Sequence, residues 1–282
     1  MTDQPVILIT GVAGYWGGRL AERLAAASQL TAAPVLIGLD SEPPVEPIAG
    51  LDFIQADVRN PLLVDLLRSE RVDTLVHLAL RENYRSSERA FDLNVIGTMK
   101  VLAAAAEAGV RKVILRSSTM VYGALPTNPA FMTEDHPLNG GKAGGLTGNL
   151  VEIEAFINGF RRQAPDMLIS LLRFANPIGP GVDAPLARLL RMNPPLVLLG
   201  FDPLLQVIHE DDLIGALAYA VQNDRPGIFN VAADKALPLG KILGLAGRLP
   251  LPIVHPIAYW GRELLRLSGR RPQSAFPIEP DY

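Results

Sequence analysis

The stretch from Val6 to Gly18, "VILITGVAGYWGG", constrains the fold more than any other part of the chain. A short run of apolar and β-branched residues enters a turn with glycines at 11, 14 and 17, and a helical period follows at once. A continuous apolar run of this length reads as a strand buried on both faces, which requires a parallel sheet covered by helices on each side. The pattern then repeats. Apolar runs at 6–10, 35–39, 52–56, 74–79, 112–118 and 168–174 alternate with helical segments at 14–27, 61–69, 87–108 and 149–163. That βα alternation predicts an α/β fold, a Rossmann-type doubly wound parallel sheet. In the segment 149–163, Leu150, Ile153, Phe156, Ile157 and Phe160 form one stripe, which is either core or a dimer seam.

After about residue 175 the rhythm changes to short elements broken by proline: "NPIGPG", "MNPPL", "DRPG", "RLPLP". This divides the chain into a Rossmann domain over 1–174 and a smaller mixed α/β substrate lobe over 175–282. Some strands and helices of the lobe are expected to return to the first domain. The lobe is expected over the carboxyl ends of the strands, where doubly wound sheets bind ligands. The last residues, "FPIEPDY", carry no cap or closing strand, so a shortened chain or a disordered tail is expected there.

Composition narrows the chemistry. The 282 residues contain no cysteine, which removes disulfides, thiolate metal sites and cysteine nucleophiles together. The four histidines, His77, His136, His209 and His255, lack local metal-ligand spacing, so no metal is expected. With 26 basic and 29 acidic residues there is no field to draw the chain to nucleic acid or an anionic membrane. No apolar run reaches the ~18 residues of a membrane span, and the N-terminus lacks a basic leader. The expected class is therefore a soluble cytoplasmic protein acting on a small molecule.

Each glycine of the opening turn has a physical task. Gly11 permits the tight turn, Gly14 lets backbone N–H groups approach a pyrophosphate at the helix N-terminus, and Gly17 lets helix and strand pack closely. Tyr15 and Trp16 lie between the last two glycines and join the candidate cofactor residues. Asp40 ends the second strand, 23 residues after Gly17, where a carboxylate accepts hydrogen bonds from an adenosine ribose. Between Arg23 and Arg59 there is no lysine or arginine, while Glu42 and Glu46 follow Asp40. A 2′-phosphate would meet uncompensated negative charge, so the cofactor expected is NAD, with NADH bound more tightly than NADPH.

Across nearly its whole length the sequence resembles the extended short-chain dehydrogenase/reductase family, the NAD-dependent epimerase/dehydratase group that includes nucleotide-sugar epimerases. The resemblance is carried in order by "TGVAGYWG", "ADVRN", "LVHLAL", "LNVIGTMKVL", "SSTMVYG", "LLRFANPIGPG", "VIHEDDL" and "IFNVAAD". It implies that Asp57 and the backbone of Val58 bind the adenine edge, that Leu78 and Ala79 line the cofactor, and that Asn94 orients the active site from below. Ser118 falls where the family keeps a catalytic hydroxyl, with Thr119 beside it. Asn176 matches the Asn of the family's Asn-x-Tyr-Gly-Pro, with Ile178 in place of the tyrosine. Tyr84, Asn176 and Gln206 are the candidate substrate contacts. His209 and Asp212 match a motif that is more often structural than catalytic. Plain structural roles remain open for Asn94, for Ser117 or Ser118, and for His77. The family often dimerises through its two long helices, here 87–108 and 149–163, and a homodimer is expected on that ground.

The family's proton exchange uses a tyrosine with a lysine four residues on, the lysine lowering the phenol pKa from the same helical face. This chain has no Tyr-x-x-x-Lys. Its tyrosines are 15, 84, 122, 219, 259 and 282, and none lies between 122 and 219. Leu146 and Leu150 are the expected occupants of the two positions. Asn149 followed by Glu152 reads as a capping box, which would start the helix late and leave "GGKAGGLTG" as a loop. Three readings stay open. The first is an epimerase or dehydratase acting on a nucleotide sugar, with proton transfer by Ser118, Thr119, water, or a residue such as Lys142, Tyr84 or His136. The second is a dinucleotide-binding sensor or interaction module without turnover, and the third a ketone or hydroxysteroid-type reductase.

Overall fold

A computed structural model describes residues 4–27, 34–82, 84 and 86–254. His255, Tyr259, Tyr282 and the "FPIEPDY" stretch lie outside the described residues. Six strands follow the apolar runs: β1 (Val6–Thr10), β2 (Val35–Asp40), β3 (Leu51–Gln55), β4 (Val72–His77), β5 (Lys112–Ser118) and β6 (Leu168–Phe174). With a further strand, Gly227–Val231, they form one seven-stranded sheet in which every pairing is parallel. The strand order runs outward from β1 to β2 and β3 on one side, and to β4, β5, β6 and Gly227–Val231 on the other. The order therefore reverses between β1 and β4, the switch point at which doubly wound sheets leave a crevice. This is the doubly wound Rossmann-type fold.

The helices that cover the sheet are α1 (Tyr15–Ala27), α2 (Leu63–Ser69), α3 (Glu88–Phe91), α4 (Gly97–Ala108) and α5 (Gly145–Gln163). The stripe on α5 is core: Leu150, Ile153, Ile157 and Phe160 are buried in one cluster with Val113 and Leu115 of β5 and Leu171 of β6, and Phe156 packs against that cluster. Each fully buried aliphatic side chain of this kind contributes about 1.5–3 kcal/mol. The expected helical segment 87–108 is found over 88–108, with Asp92–Ile96 winding as a π-helical turn between α3 and α4. One expected helix start is corrected. Helix α5 begins at Gly145, so Asn149 lies inside it and caps nothing, and Gly140–Ala143 forms a 3₁₀ turn before it. The cap comes from across the fold, since Ser86 Oγ accepts from Gly145 N at 3.2 Å.

By internal contacts the chain separates into two units. The first comprises 1–123, 133–174 and 211–231 and holds the seven-stranded sheet; the second comprises 124–132, 175–210 and 232–282. The segment 211–231 thus belongs with the Rossmann unit, and 124–132 with the smaller one. Within the second unit, Asn176–Ile178 pairs in parallel with Val207–His209, and Leu186, Leu189, Leu239 and Leu243 form a small core. Among the described residues no helix is long and apolar enough to cross a membrane.

Candidate active site

The glycine turn is built by close backbone approach. Gly11 has φ +76°, and a Cβ there would stand 2.6 Å from the backbone of Leu78 and Ala79. A Cβ on Gly17 would overlap the carbonyl oxygen of Gly11 and stand 2.7 Å from its carbonyl carbon. Neither position can carry a side chain, so the turn lies flat against both the loop after β4 and the first turn of α1. Helix α1 has no acidic residue in its first turn, which leaves its N–H groups and positive dipole end for an anionic ligand. The acid at the end of β2 is tied to the same turn: Asp40 Oδ2 accepts from Ala13 N at 3.0 Å, and Oδ1 accepts from Ser41 N at 2.7 Å. These residues fit a dinucleotide, with the pyrophosphate at α1 and a ribose at Asp40.

Asp57, expected at the adenine edge, is more committed than its spacing implies. Asp57 accepts from Arg59 three times, at 2.8 Å from the backbone N and at 2.9 and 2.5 Å from the guanidinium, while Arg59 also pairs with Asp92. Arg59 holds the Asp57 carboxyl below the usual carboxylate range through those hydrogen bonds. Any amine bound at Asp57 therefore shares the carboxylate with Arg59. The first cation after Arg23 is thus spent on two carboxylates, consistent with the charge argument against a 2′-phosphate. Val58 and Leu78 are buried and Ala79 packs at the edge of the core.

Beneath this edge His77 is fully buried, its Nδ1 2.7 Å from Thr10 Oγ1 and its Nε2 3.0 Å from Thr98 Oγ1. Thr98 Oγ1 donates to the Asn94 carbonyl, so the consistent tautomer carries its proton on Nε2 and accepts from Thr10 on Nδ1. Burial pushes the His77 pKa down to about 4, and the ring is a neutral structural tie. Asn94 sits at 0 % exposure in the π-helical turn, its Oδ1 accepting from Arg81 N at 2.7 Å and its Nδ2 donating to Arg81 O at 3.0 Å. Its amide is thus committed to the loop after β4, the orienting role the resemblance implies.

At the end of β5 the two adjacent serines part. Ser117 is buried and donates to Glu154 Oε1 at 2.5 Å. Ser118 faces the other side of the sheet, is half-buried, and accepts from Met120 N at 3.2 Å as cap of the 3₁₀ turn Thr119–Tyr122. Among the described residues neither the Ser118 hydroxyl proton nor the Thr119 hydroxyl has a partner. Leu146 and Leu150 are both buried in the core. Lys142 is exposed. His136 meets Tyr122 edge to face with ring centroids 5.7 Å apart, and Tyr84 packs against the core.

A buried polar network under Ser118 has no counterpart in the sequence reading. Arg173 at the end of β6 is 2 % exposed and Glu154 on α5 is 0 % exposed, and they pair through Nη2–Oε2 at 2.6 Å and Nε–Oε2 at 3.0 Å. Arg173 Nη1 also donates to Tyr122 Oη and to the Glu134 carbonyl, each at 2.8 Å, and Tyr122 Oη donates to Asn230 Oδ1 at 2.6 Å. Burial opposes the Arg173 charge most strongly, yet the hydrogen bonds and charge of Glu154 together outweigh it and raise the guanidinium pKa. A charged residue inside an otherwise apolar parallel strand, "LISLLRF", is the available signal.

In the second unit, Asn176 Nδ2 donates to the Gln206 carbonyl at 2.9 Å, and Gln206 Nε2 donates to the Ala233 carbonyl at 3.2 Å. Both amide nitrogens are thus used within that unit. Each amide keeps its second N–H and its side-chain oxygen for a substrate.

Comparison with known proteins agrees with this arrangement. Residues 7–232 match the model of the NAD dependent epimerase/dehydratase family. An uncharacterized protein of Mycobacterium tuberculosis is 35 % identical over 272 residues, covering 94 % of this chain and 71 % of that one. The UDP-glucose 4-epimerase of Mycolicibacterium smegmatis is 33 % identical over 189 residues, 62 % of this chain and 57 % of that enzyme. Among solved structures, MoeE5 in complex with UDP-glucuronic acid and NAD superposes with a TM-score of 0.73 at 23 % identity, covering 88 % of this chain and 85 % of that one, a likeness of fold. A glycine turn closed to side chains, an acid tied to it and a serine at the end of the fifth strand are thus found in a chain that belongs to the NAD dependent epimerase/dehydratase family.

Proposed function

We propose that this chain is an NAD-dependent enzyme acting on a nucleotide sugar by transient hydride transfer, with Ser118 and Thr119 serving the reacting oxygen in place of a tyrosine and lysine. The observation that carries the reading is one sheet edge. It joins a cofactor turn that no side chain could occupy to a Ser118 hydroxyl whose proton has no acceptor among the described residues. The bound NAD would supply the hydride acceptor and donor. Ser118 accepts from Met120 N, which fixes its oxygen and leaves its proton to hydrogen-bond the substrate oxygen. The proton that this oxygen loses on oxidation passes through Thr119 or a water held there to solvent, and the same route returns one on reduction. Nucleotide sugar as the substrate class is supported by the family and by the sugar nucleotides bound to its relatives in fold. Homodimerisation through α4 and α5 is proposed on the resemblance alone.

The test is Ser118→Ala. Turnover is expected to fall by about 10²- to 10⁴-fold, the usual size of a lost proton-transfer group, while NAD affinity stays within about twofold. Equal loss of both, or unchanged turnover, contradicts the assignment. A parallel titration should give tighter binding of NADH than NADPH, and the reverse order would remove the Asp40 argument.

A further inference from the structure

Arg116 lies on β5 two residues before Ser118, so the two side chains leave the same face of the sheet. Its guanidinium reaches the start of α1. The guanidinium carbon stands 5.0 Å from the centroid of the Trp16 ring, and Trp16 is the second residue of the helix. Nη1 of Arg116 pairs with Glu82 Oε1, and Trp16 Nε1 donates to that same oxygen at 2.8 Å. Glu82 follows the loop that Gly11 touches at Leu78 and Ala79. The Arg116 side chain is 11 % exposed and its Nε is buried without an acceptor among the described residues, the one such side-chain atom there. A buried donor left without an acceptor is costly and rare, so it marks a position where an acceptor is missing.

We infer that Arg116 binds the cofactor's diphosphate, and that Glu82 restrains this contact by competing for the same guanidinium. This rests on the dinucleotide reading above and adds to it a ligand that the glycine turn does not supply. The chemistry follows from charge and shape. A guanidinium presents a planar fork of N–H donors suited to two phosphate oxygens, and stacking on Trp16 fixes the plane of that fork. Glu82 puts a carboxylate beside a helix end that favours anions, and Arg116 balances it. A diphosphate arriving at α1 repels Glu82 and offers Arg116 more acceptors than one carboxylate oxygen does, so Arg116 turns toward the ligand and its Nε gains a partner. A nucleotide sugar also carries a diphosphate. The cofactor's is the one assigned, because the guanidinium stands on the second residue of α1.

The experiment titrates the full chain calorimetrically with ADP-ribose, adenosine and UDP. Arg116→Gln is expected to weaken ADP-ribose by about 10- to 100-fold, the range for a hydrogen bond to a charged group, with adenosine and UDP within about twofold. Glu82→Gln, which keeps the acceptor for Trp16 but removes the competing charge, is expected to tighten ADP-ribose about three- to tenfold, and the double variant should bind as Arg116→Gln does. ADP-ribose binding unchanged in Arg116→Gln, a loss shared equally by adenosine, a loss confined to UDP, or weaker ADP-ribose binding in Glu82→Gln would each overturn the inference. If the unsubstituted chain binds neither ADP-ribose nor adenosine, the dinucleotide reading itself fails and the inference with it.

Discussion

Gly17→Ala is expected to lower NAD affinity by about a hundredfold or more and to cost about 1–3 kcal/mol of stability, the range for overpacking a filled site. The added methyl would sit 2.7 Å from the Gly11 carbonyl carbon and 2.9 Å from the Val12 Cα, and backbone cannot rotate aside as a side chain can. Alanine's better helix propensity returns at most about 1 kcal/mol, so the collision wins. Helix α1 must then tilt away from the turn, and its N–H groups lose their aim at the pyrophosphate. Gly159 on α5 is the matched control. A Cβ there meets nothing within 4 Å, so Gly159→Ala should be neutral or stabilising by up to about 1 kcal/mol. Thermal melts with and without NAD separate the two. Wild-type affinity in Gly17→Ala would show that the turn does not hold the cofactor.

Arg173→Leu is expected to cost about 3–5 kcal/mol, because it leaves the fully buried Glu154 charge without its partner. The Tyr122 hydroxyl and the Glu134 carbonyl lose a donor in the same step. A Glu154→Leu and Arg173→Leu double variant removes both charges and should recover much of that loss, as replacing a whole buried pair often does. Urea denaturation measures it, and an Arg173→Leu midpoint equal to that of the unsubstituted chain would show that the pair is not holding the edge. The network joins β5 through Ser117, α5 through Glu154, β6 through Arg173 and the strand Gly227–Val231 through Asn230. Breaking it should therefore also loosen the turn that carries Ser118.

What can be read ahead of the structure follows from the range of the forces involved. Strands β1, β2, β4, β5 and β6 are buried on both faces and so announce themselves as apolar runs, each found within two residues of its place. The start of α1 is legible because Gly17 must meet the backbone of Gly11 and Val12, a few residues before it. The start of α5 is not. Asn149 and Glu152 have the spacing of a capping box, but the hydrogen bond that starts the helix comes from Ser86, 59 residues away. The strand Gly227–Val231 is visible only as a motif, because Asn230 breaks its apolar run, and that same residue receives the Tyr122 proton 108 residues away. Asn94 reads in sequence as an orienting group, and its partner, the Arg81 backbone, appears only in the structure. Glu154 with Arg173, and Glu82 with Arg116, are invisible to spacing for the same reason. Charges inside "LISLLRF" and "KVILRSS" signal a buried partner without naming it.

The chain keeps the turn that holds a dinucleotide and lacks the tyrosine and lysine that commonly use it. Whether it turns substrate over is therefore the question on which the account stands. The direct measurement is to purify the chain, identify any retained dinucleotide by mass spectrometry, and follow a panel of nucleotide sugars by NMR with catalytic NAD. Retained or readily bound NAD is expected, with conversion of at least one nucleotide sugar that Ser118→Ala slows by about 10²- to 10⁴-fold. Tight NAD binding with no nucleotide sugar changed, or consumption of stoichiometric NADH by a simple ketone instead, would contradict that expectation.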